Sequence, residues 1–239
     1  MIMILSGAGL SAESGIKTFR DHDGLWENYD VMQVCSAQGW ETDRNLVTQF
    51  YNARRRDLQD KEPNRAHLAL AELEKKYPDQ VYNLTQNVDN LLEKAGCKDI
   101  IHLHGTLTDL RCESCSHVWD VGYETQDESE SCPRCESSLV RHNVVMFGEA
   151  APEYQRIYEA IENCKLFIAI GTSGQVIDIV PIASEFDHSI LINPAREEYM
   201  ASFGSHGRYI DQYFKHFLQM GAGDAVSDMI GLIEEFMDV

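Results

Sequence analysis

Short apolar runs of four or five residues recur along the chain: Met1–Leu5, Val81–Leu84, Ile100–Leu103, Leu166–Ile170 and Ser189–Ile192. Runs this short with so few polar residues read as strands buried on both faces. Between them the apolar residues fall at helical spacing. Leu46, Phe50 and Ala53, then Leu68, Leu70, Ala71 and Leu73, predict helices from Trp26 to Lys76, broken at Pro63-Asn64. Asn90–Ala95 is helical in pattern and is stopped by Gly96, and Glu153–Cys164 and Asp224–Met237 read as amphipathic helices. Strands alternating with helices predict an α/β fold around a parallel sheet. Each strand runs into a polar or glycine-rich cluster, and in an open α/β sheet that edge is where ligands bind.

The clusters differ in what they can do. Gly7-x-Gly9-x-x-Ala12 satisfies the loose dinucleotide fingerprint, in which glycines permit a tight turn and the next helix aims its amides at a pyrophosphate. Taken alone it is a weak signal. A second strand ending in an acid about 20 residues on, usual in Rossmann dehydrogenases, does not follow. Thr85, Gln86, Asn87 and Asp89 end the second strand, and Asn87 and Asp89 read either as ligand groups or as caps of the helix that follows. His102 and His104 lie two apart and face the same side if both are on a strand. His104 is the better candidate for chemistry, because it sits at the strand end beside Gly105. Gly171-Thr172-Ser173-Gly174 forms another strand-end loop suited to phosphate or ribose, and Asn193 ends the last strand.

Cys112-x-x-Cys115 and Cys132-x-x-Cys135 have the spacing of a four-cysteine zinc site. Four thiolates close a tetrahedral site, which makes the metal structural. A redox dithiol is the competing reading, and His117 is a conceivable extra ligand. Tyr51 and Arg54, three apart, share a helix face within Phe50–Arg56. From the residues alone, a solvated basic face is the better account of them.

Composition narrows the classes. With 44% hydrophobic and 25% charged residues the composition is that of a globular enzyme, and the length allows one large core or a main domain with a smaller one attached. No apolar run approaches the roughly 20 residues needed to span a bilayer. Met1–Leu5 lacks the basic flank and cleavage site of a signal peptide, so a cytoplasmic location is expected. The net charge of −19 repels nucleic acid and membrane headgroups and favours cationic protein segments. A zinc-ribbon module binding nucleic acid is disfavoured on the same ground.

Taken in order, the motifs are Gly7-Ala8-Gly9-Leu10-Ser11, Phe19-Arg20, Thr85-Gln86-Asn87-Val88-Asp89, His104-Gly105, the two cysteine pairs, Phe147-Gly148-Glu149 and Gly171-Thr172-Ser173. The series resembles the sirtuins, the NAD-dependent protein-lysine deacylases, over nearly the whole chain. The resemblance implies a Rossmann-like parallel-sheet domain of residues 1–22, 77–105 and 148–239. A small domain would be built from a helical insertion (23–76) and a zinc module (106–147). It places NAD at Gly7, Ala8, Gly9, Phe19, Arg20, Gln86, Gly171, Thr172, Ser173 and Asn193. Ser11, Asn87 and Asp89 then match the nicotinamide and ribose pocket, and His104 the general base, with Asn87 beside it in catalysis.

By the same resemblance, Tyr51 and Arg54 match the Tyr-x-x-Arg of the desuccinylase branch. A succinyl, malonyl or glutaryl group carries a carboxylate that has to be paired when buried, and a guanidinium and a phenol can pair it. Ala12 fits a wide acyl pocket. An acyl-lysine segment would add as a strand between Phe147-Gly148 and Gly174–Val176. The products expected are nicotinamide, free lysine and O-acyl-ADP-ribose, from acidic acyls and from acetyl as well, by a monomer. An ADP-ribosyltransferase or NAD glycohydrolase using the same pocket is the alternative. Two positions depart from the family pattern: His142 follows Arg141 where proline is frequent, and Lys17 stands where proline or alanine is frequent.

Overall fold

The computed structural model describes residues 1–17, 25–26, 29–127, 129–199 and 207–238. The first apolar run forms β1 (Ile2–Ser6), buried at every position. Its side chains alternate between two cores, Ile2 and Ile4 to one face, Met3 and Leu5 to the other. That two-sided burial is why the run carries no polar residue before Ser6. Among the described residues no α-helix directly follows the glycine loop, contrary to the fingerprint. Two 3-10 turns, Ala8–Leu10 and Ala12–Ser14, follow instead. The Leu10 carbonyl, which a helix would need, accepts from Asn64 Nδ2 at 2.8 Å, and Gly15 turns left-handed at φ 79°.

A short antiparallel pair, β2 (Leu25–Trp26) and β3 (Tyr29–Asp30), leads into α1 (Val31–Val34), α2 (Ala37–Thr42), α3 (Arg44–Gln59) and α4 (Arg65–Lys76). Asp30, Ser36, Asp43 and Asn64 cap these four helices through their side-chain oxygens. The chain continues through β4 (Val81–Thr85), α5 (Leu91–Ala95) and β5 (Ile100–His102). It then makes β6 (Gly105–Cys112), β7 (Val118–Asp120) and β8 (Val140–Val144), a separate antiparallel sheet in the order β7-β6-β8. A 3-10 turn at Pro152–Tyr154 opens α6 (Gln155–Asn163). The remaining elements are β9 (Leu166–Ile170), α7 (Ile179–Ser184), β10 (His188–Ile192), β11 (His216–Leu218) and α8 (Val226–Met237).

Among the described residues, six strands form one parallel sheet in the order β11-β10-β9-β1-β4-β5. The chain leaves β1 toward β4 and later returns to β9 on its other side. The ends of β1 and β9 are therefore the switch point where a doubly wound sheet opens a crevice. Residues of α4, α5 and α8 cover one face, and α6 and α7 cover the other. A third core lies away from the sheet, where Val34, Trp40, Val47, Phe50, Tyr51 and Leu58 meet Leu107, Val144 and Met146. The two insertions thus share one small core. α4 does not join it: Ala66, Leu70, Ala71 and Leu73 pack on the main sheet, so a boundary at 76/77 does not separate the two cores. No described helix is long and apolar enough to cross a membrane.

The crevice itself is formed by backbone packed on backbone. Gly7 N donates to the Ile170 carbonyl at 3.0 Å and Gly9 N to the Gly171 carbonyl at 2.9 Å. A Cβ on Gly9 would lie 2.6 Å from the Gly171 Cα. Gly9→Ala is accordingly expected to destabilise the fold by about 1–3 kcal/mol, as overpacking against immovable backbone does, read as a lower urea midpoint with an unchanged slope.

Candidate functional site

The strand ends converge and are hydrogen-bonded to one another. Ser6 Oγ donates to Thr85 Oγ1 at 2.9 Å, tying the end of β1 to that of β4. Gln86 N donates to the Ser6 carbonyl at 2.9 Å, and Gln86 Nε2 reaches Thr172 Oγ1 at 3.1 Å beyond β9. Asn193 Nδ2 donates to the Thr172 carbonyl at 3.3 Å, adding the end of β10. Glycines at Gly171 (φ 64°) and Gly174 (φ 71°) supply the left-handed turns of the β9 loop.

Beside these loops lies a cavity of about 640 Å³, within the range of small-ligand sites. Ala8, Gln86, Asn87, Asp89 and His104 line one side, and Tyr51 and Arg54 of α3 line it from the helical insertion. Phe147, Gly148 and Val176 also border it, Phe147 and Val176 remaining well exposed. Residues separated by half the chain are thereby brought to one space. Ser11 is fully buried just behind the lining, with its Oγ 2.8 Å from Asp89 Oδ2. Gly7, Gly9, Gly171, Thr172, Ser173, Gly174 and Asn193 belong to the adjoining strand-end loops and not to the lining. Ala12 is exposed and borders the cavity nowhere, because the 3-10 turn points it outward. Phe19 and Arg20 lie outside the described residues.

The two histidines divide as their surroundings dictate. His102 sets Nδ1 against the Asn87 carbonyl at 3.0 Å and Nε2 against Glu93 at 2.7 Å. Burial opposes its charged form, but the Glu93 carboxylate and the Asn87 carbonyl outweigh that and raise its pKa. It is a structural ion-pair partner. His104 lies past the end of β5 and lines the cavity. Its Nδ1 is 2.9 Å from the Gln86 carbonyl, which can only accept, so the neutral ring carries its proton there. Nε2 is left as the acceptor, and the Tyr154 hydroxyl donates to it at 2.8 Å. Burial lowers the pKa of His104, with the Gln86 contact acting against it. A neutral imidazole beside a cavity, its acceptor nitrogen covered by a single phenol, is a general base in form. Tyr154 carries no motif that could have flagged it; only the 3-10 turn before α6 brings it to the ring.

Asp89 has a structural part at the start of α5 and also lines the cavity. Oδ1 accepts from Leu91 N at 3.1 Å, which caps α5, while Oδ2 takes the Ser11 hydroxyl. Burial raises its pKa, and these two donors pull against the shift. Asn87 is no cap: its Nδ2 donates to the Gly7 carbonyl at 3.1 Å and to Ser11 Oγ at 3.2 Å.

In the part of the lining that α3 contributes, Tyr51 is 2% exposed, edge-on to Phe50 and 5.5 Å from the His142 ring. Burial, then the Cys35 thiol, hold its phenol pKa well above the ordinary value, so it is a neutral donor. His142 is also buried. Its Nε2 lies 3.1 Å from Asn52 Oδ1, and burial plus the Arg55 charge push its pKa down to about 2. The departure at this position thus supplies a neutral ring as backing for Tyr51. The Arg54 guanidinium sits 5.7 Å over the Phe50 ring. Lys17 borders the same cavity. The Phe147 loop is held by Glu149, which accepts from Met146 N at 2.9 Å and pairs with Arg111 and Arg141.

The four cysteines lie together, every sulfur within 4.8 Å of the others. Cys112 and Cys135 are 3.6 Å apart, and Cys115 and Cys132 are 3.7 Å apart. These distances exceed a disulfide bond of about 2.05 Å. They match the edge of a tetrahedron with Zn–S bonds of about 2.3 Å, roughly 3.8 Å. Each pair ends in a left-handed residue, Ser116 and Glu136, the turn that folds the second thiol back on the first. His117 stacks on Trp119 and is no ligand. The set suits one structural zinc.

Fold and site together define a doubly wound α/β protein whose ligand cavity opens at the switch point, with a closed four-sulfur metal centre in its smaller part. The Sir2 family model matches residues 7–178, and the chain belongs to that family. A protein of Campylobacter jejuni subsp. jejuni serotype O:2 named NAD-dependent protein deacylase is 53% identical over 190 residues, 80% of this chain and 81% of that protein. One of the same name from Pasteurella multocida is 40% identical over 229 residues, covering 91% and 97%. Among solved structures, a Sir2 homologue in complex with NAD superimposes with a TM-score of 0.81 at 32% identity, covering 98% of this chain and 89% of that one. A Sir2 homologue mutant in complex with ADP-ribose gives 0.84 at 31%, covering 100% and 93%.

Two outcomes follow. Tyr154 donates to the neutral form of His104, so Tyr154→Phe should raise the His104 pKa toward 6.5, seen by NMR titration of the ring. Stripping the metal with a strong chelator should dissolve the packing of β6–β8 while the six-stranded sheet persists. Near-UV dichroism from Trp119 would fall, with most far-UV signal retained.

Proposed function

We propose that this protein removes acyl groups from lysine side chains of other proteins at the expense of NAD, and that it accepts acidic acyls of the succinyl and malonyl type together with acetyl. What carries the reading is one cavity lined by His104, Asn87 and Asp89 together with Tyr51 and Arg54. The names of the relatives and the NAD and ADP-ribose complexes of the similar structures support the NAD-dependent deacylase part.

NAD supplies a ribose carbon whose cationic nicotinamide is a good leaving group. Gly7, Ala8, Gly9, Gln86, Gly171, Thr172, Ser173 and Asn193 would hold its diphosphate and sugars, on loops whose glycines keep side chains out of the crevice. Ser11, Asn87 and Asp89 would hold the nicotinamide end. His104 Nε2 would take a proton from a hydroxyl brought against it. At the acyl end, Arg54 and the neutral Tyr51 hydroxyl would pair a carboxylate that otherwise costs several kcal/mol to bury. An acetyl group makes no such demand. Phe147, Gly148, Gly174 and Val176 would flank the peptide carrying the lysine. A cytoplasmic location fits the free state of all seven cysteines.

The test compares acetyl-, succinyl- and malonyl-lysine peptides on wild type, Arg54→Met and His104→Ala. Loss of charge-assisted hydrogen bonds predicts that Arg54→Met lowers kcat/KM for the acidic acyls by about 10- to 100-fold, and for acetyl by far less. His104→Ala should stop turnover of all three while melting and zinc content stay unchanged. Equal losses across the acyl series in Arg54→Met would remove the acidic-acyl claim. NAD consumed equally fast without peptide would replace the deacylase by a glycohydrolase.

A further inference from the structure

Arg141 of β8 is 1% exposed, and its guanidinium lies between two carboxylates that arrive from different parts of the chain. One is Glu149, in the loop after Phe147, which takes Nη2. The other is Glu113, in the first cysteine turn between Cys112 and Cys115, whose Oε1 stands 3.5 Å from Nε. Among the described residues that Nε has no directed hydrogen-bond acceptor, so Glu113 compensates it by charge. A buried guanidinium left unpaired on one side is costly, and a carboxylate facing it offsets that cost.

Glu113 has a second set of partners. Its Oε1 also accepts from Trp40 Nε1 at 3.0 Å, and its Oε2 pairs with Arg44 at 3.3 Å. Trp40 is buried in α2, with the Arg44 guanidinium 4.9 Å and the Arg141 guanidinium 5.7 Å from its ring centre. α2 begins where the Phe147 loop is attached: Ala37 N donates to the Phe147 carbonyl at 2.9 Å, and Phe147 N to the Cys35 carbonyl at 2.8 Å. The Glu113 carboxylate therefore reaches the loop by two routes, through Arg141 to Glu149 and through Trp40 to the start of α2. Its own backbone is fixed by the cysteine turn, where Glu113 N donates to the Leu139 carbonyl at 2.8 Å.

We propose that Glu113 is a positioning residue, which sets the Phe147–Glu149 loop, and with it the backbone edge offered to the substrate peptide, from the metal-binding turn. The inference rests on the reading of Phe147 and Gly148 as flanking that peptide. Of the residues on the two routes, only Cys35, Phe147 and Glu149 line the cavity. His104, Gln86 and the glycine loops lie on neither route. The effect of Glu113 accordingly falls on peptide binding and spares the binding of NAD.

Two substitutions in the zinc-loaded full chain separate positioning from a merely structural part in the cysteine turn. Glu113→Ala should raise KM for an acetyl-lysine peptide about tenfold, as the fraction of correctly placed loop falls by that factor. Both kcat and KM for NAD should stay within about twofold of wild type, the mark of lost ground-state binding. The Kd of a fluorescent acetyl-lysine peptide, read by anisotropy without NAD, should rise in proportion. Glu113→Gln keeps an acceptor for Trp40 Nε1 and drops only the charge, so its peptide KM should rise about threefold. An unchanged peptide KM in either variant would overturn the proposal. So would equal losses in kcat and both KM values that track zinc content; if Glu113→Ala releases zinc, Glu113→Gln decides alone. Gly148→Pro provides the control, since proline removes an amide and cannot adopt the φ of 89° found there. If it leaves the peptide KM intact, the placement of the peptide at this loop fails, whatever the Glu113 variants do.

Discussion

The structure depends on one close approach: the turn after β1 lies backbone to backbone on the turn after β9. Two amides of the first turn bond to carbonyls at the end of the second, and no side chain fits between. This contact pins the two central strands at their C-terminal ends, where the sheet's order reverses. The loops after β4 and β10 are tied to it through at most two hydrogen bonds, Gln86 and Asn87 directly, Asn193 through Thr172. The crevice is open because the tightest packing in its floor uses no side chains.

Around that floor, burial sets the chemistry more than paired charges do. His104, His67 and His142 are all driven toward the neutral form by desolvation. Tyr51 is likewise kept as an uncharged phenol. Neutral groups have definite donors and acceptors, so the hydrogen-bond directions inside the cleft are few and can be traced atom by atom. His102, one residue pair away from His104, shows the contrast: a carboxylate at hydrogen-bond distance turns the same side chain into an ion-pair partner.

Much of this was readable in the chain, for local reasons. A strand buried on both faces has to be apolar throughout, so β1 and β9 declare themselves. Four thiols around a metal need short, regular spacings, so the zinc site does too. The glycine loops and the residues after β4 follow from strand ends alone. What escaped depends on partners far along the sequence. The 3-10 turns after Gly7 form because Asn64, more than fifty residues on, takes the Leu10 carbonyl. α7 was hidden because Pro181 interrupts a short apolar run; at the third helical position its missing N–H costs nothing. α4 carries the same helical period as α3, and only packing reveals that it belongs to the sheet. Tyr154 is a single residue outside any motif, and His142 shows in the sequence only as a departure; contact alone gives each its place. Ala12 shows the reverse error, since small size was taken for a place in the pocket and the backbone turns it away.

The seat of Tyr154 on His104 has a consequence of its own. With one ring nitrogen on a carbonyl and the other under a phenol, the free protein shows water no open lone pair at that imidazole. A hydroxyl that is to be deprotonated there has to evict the phenol, trading one hydrogen bond for another of similar strength. A stray solvent molecule gains nothing by the trade, whereas an alcohol held in register by the neighbouring loops does. On the proposed role of His104, the imidazole is stoppered against the medium and would yield to a guest already docked, a discrimination that comes from placement and needs no extra binding strength.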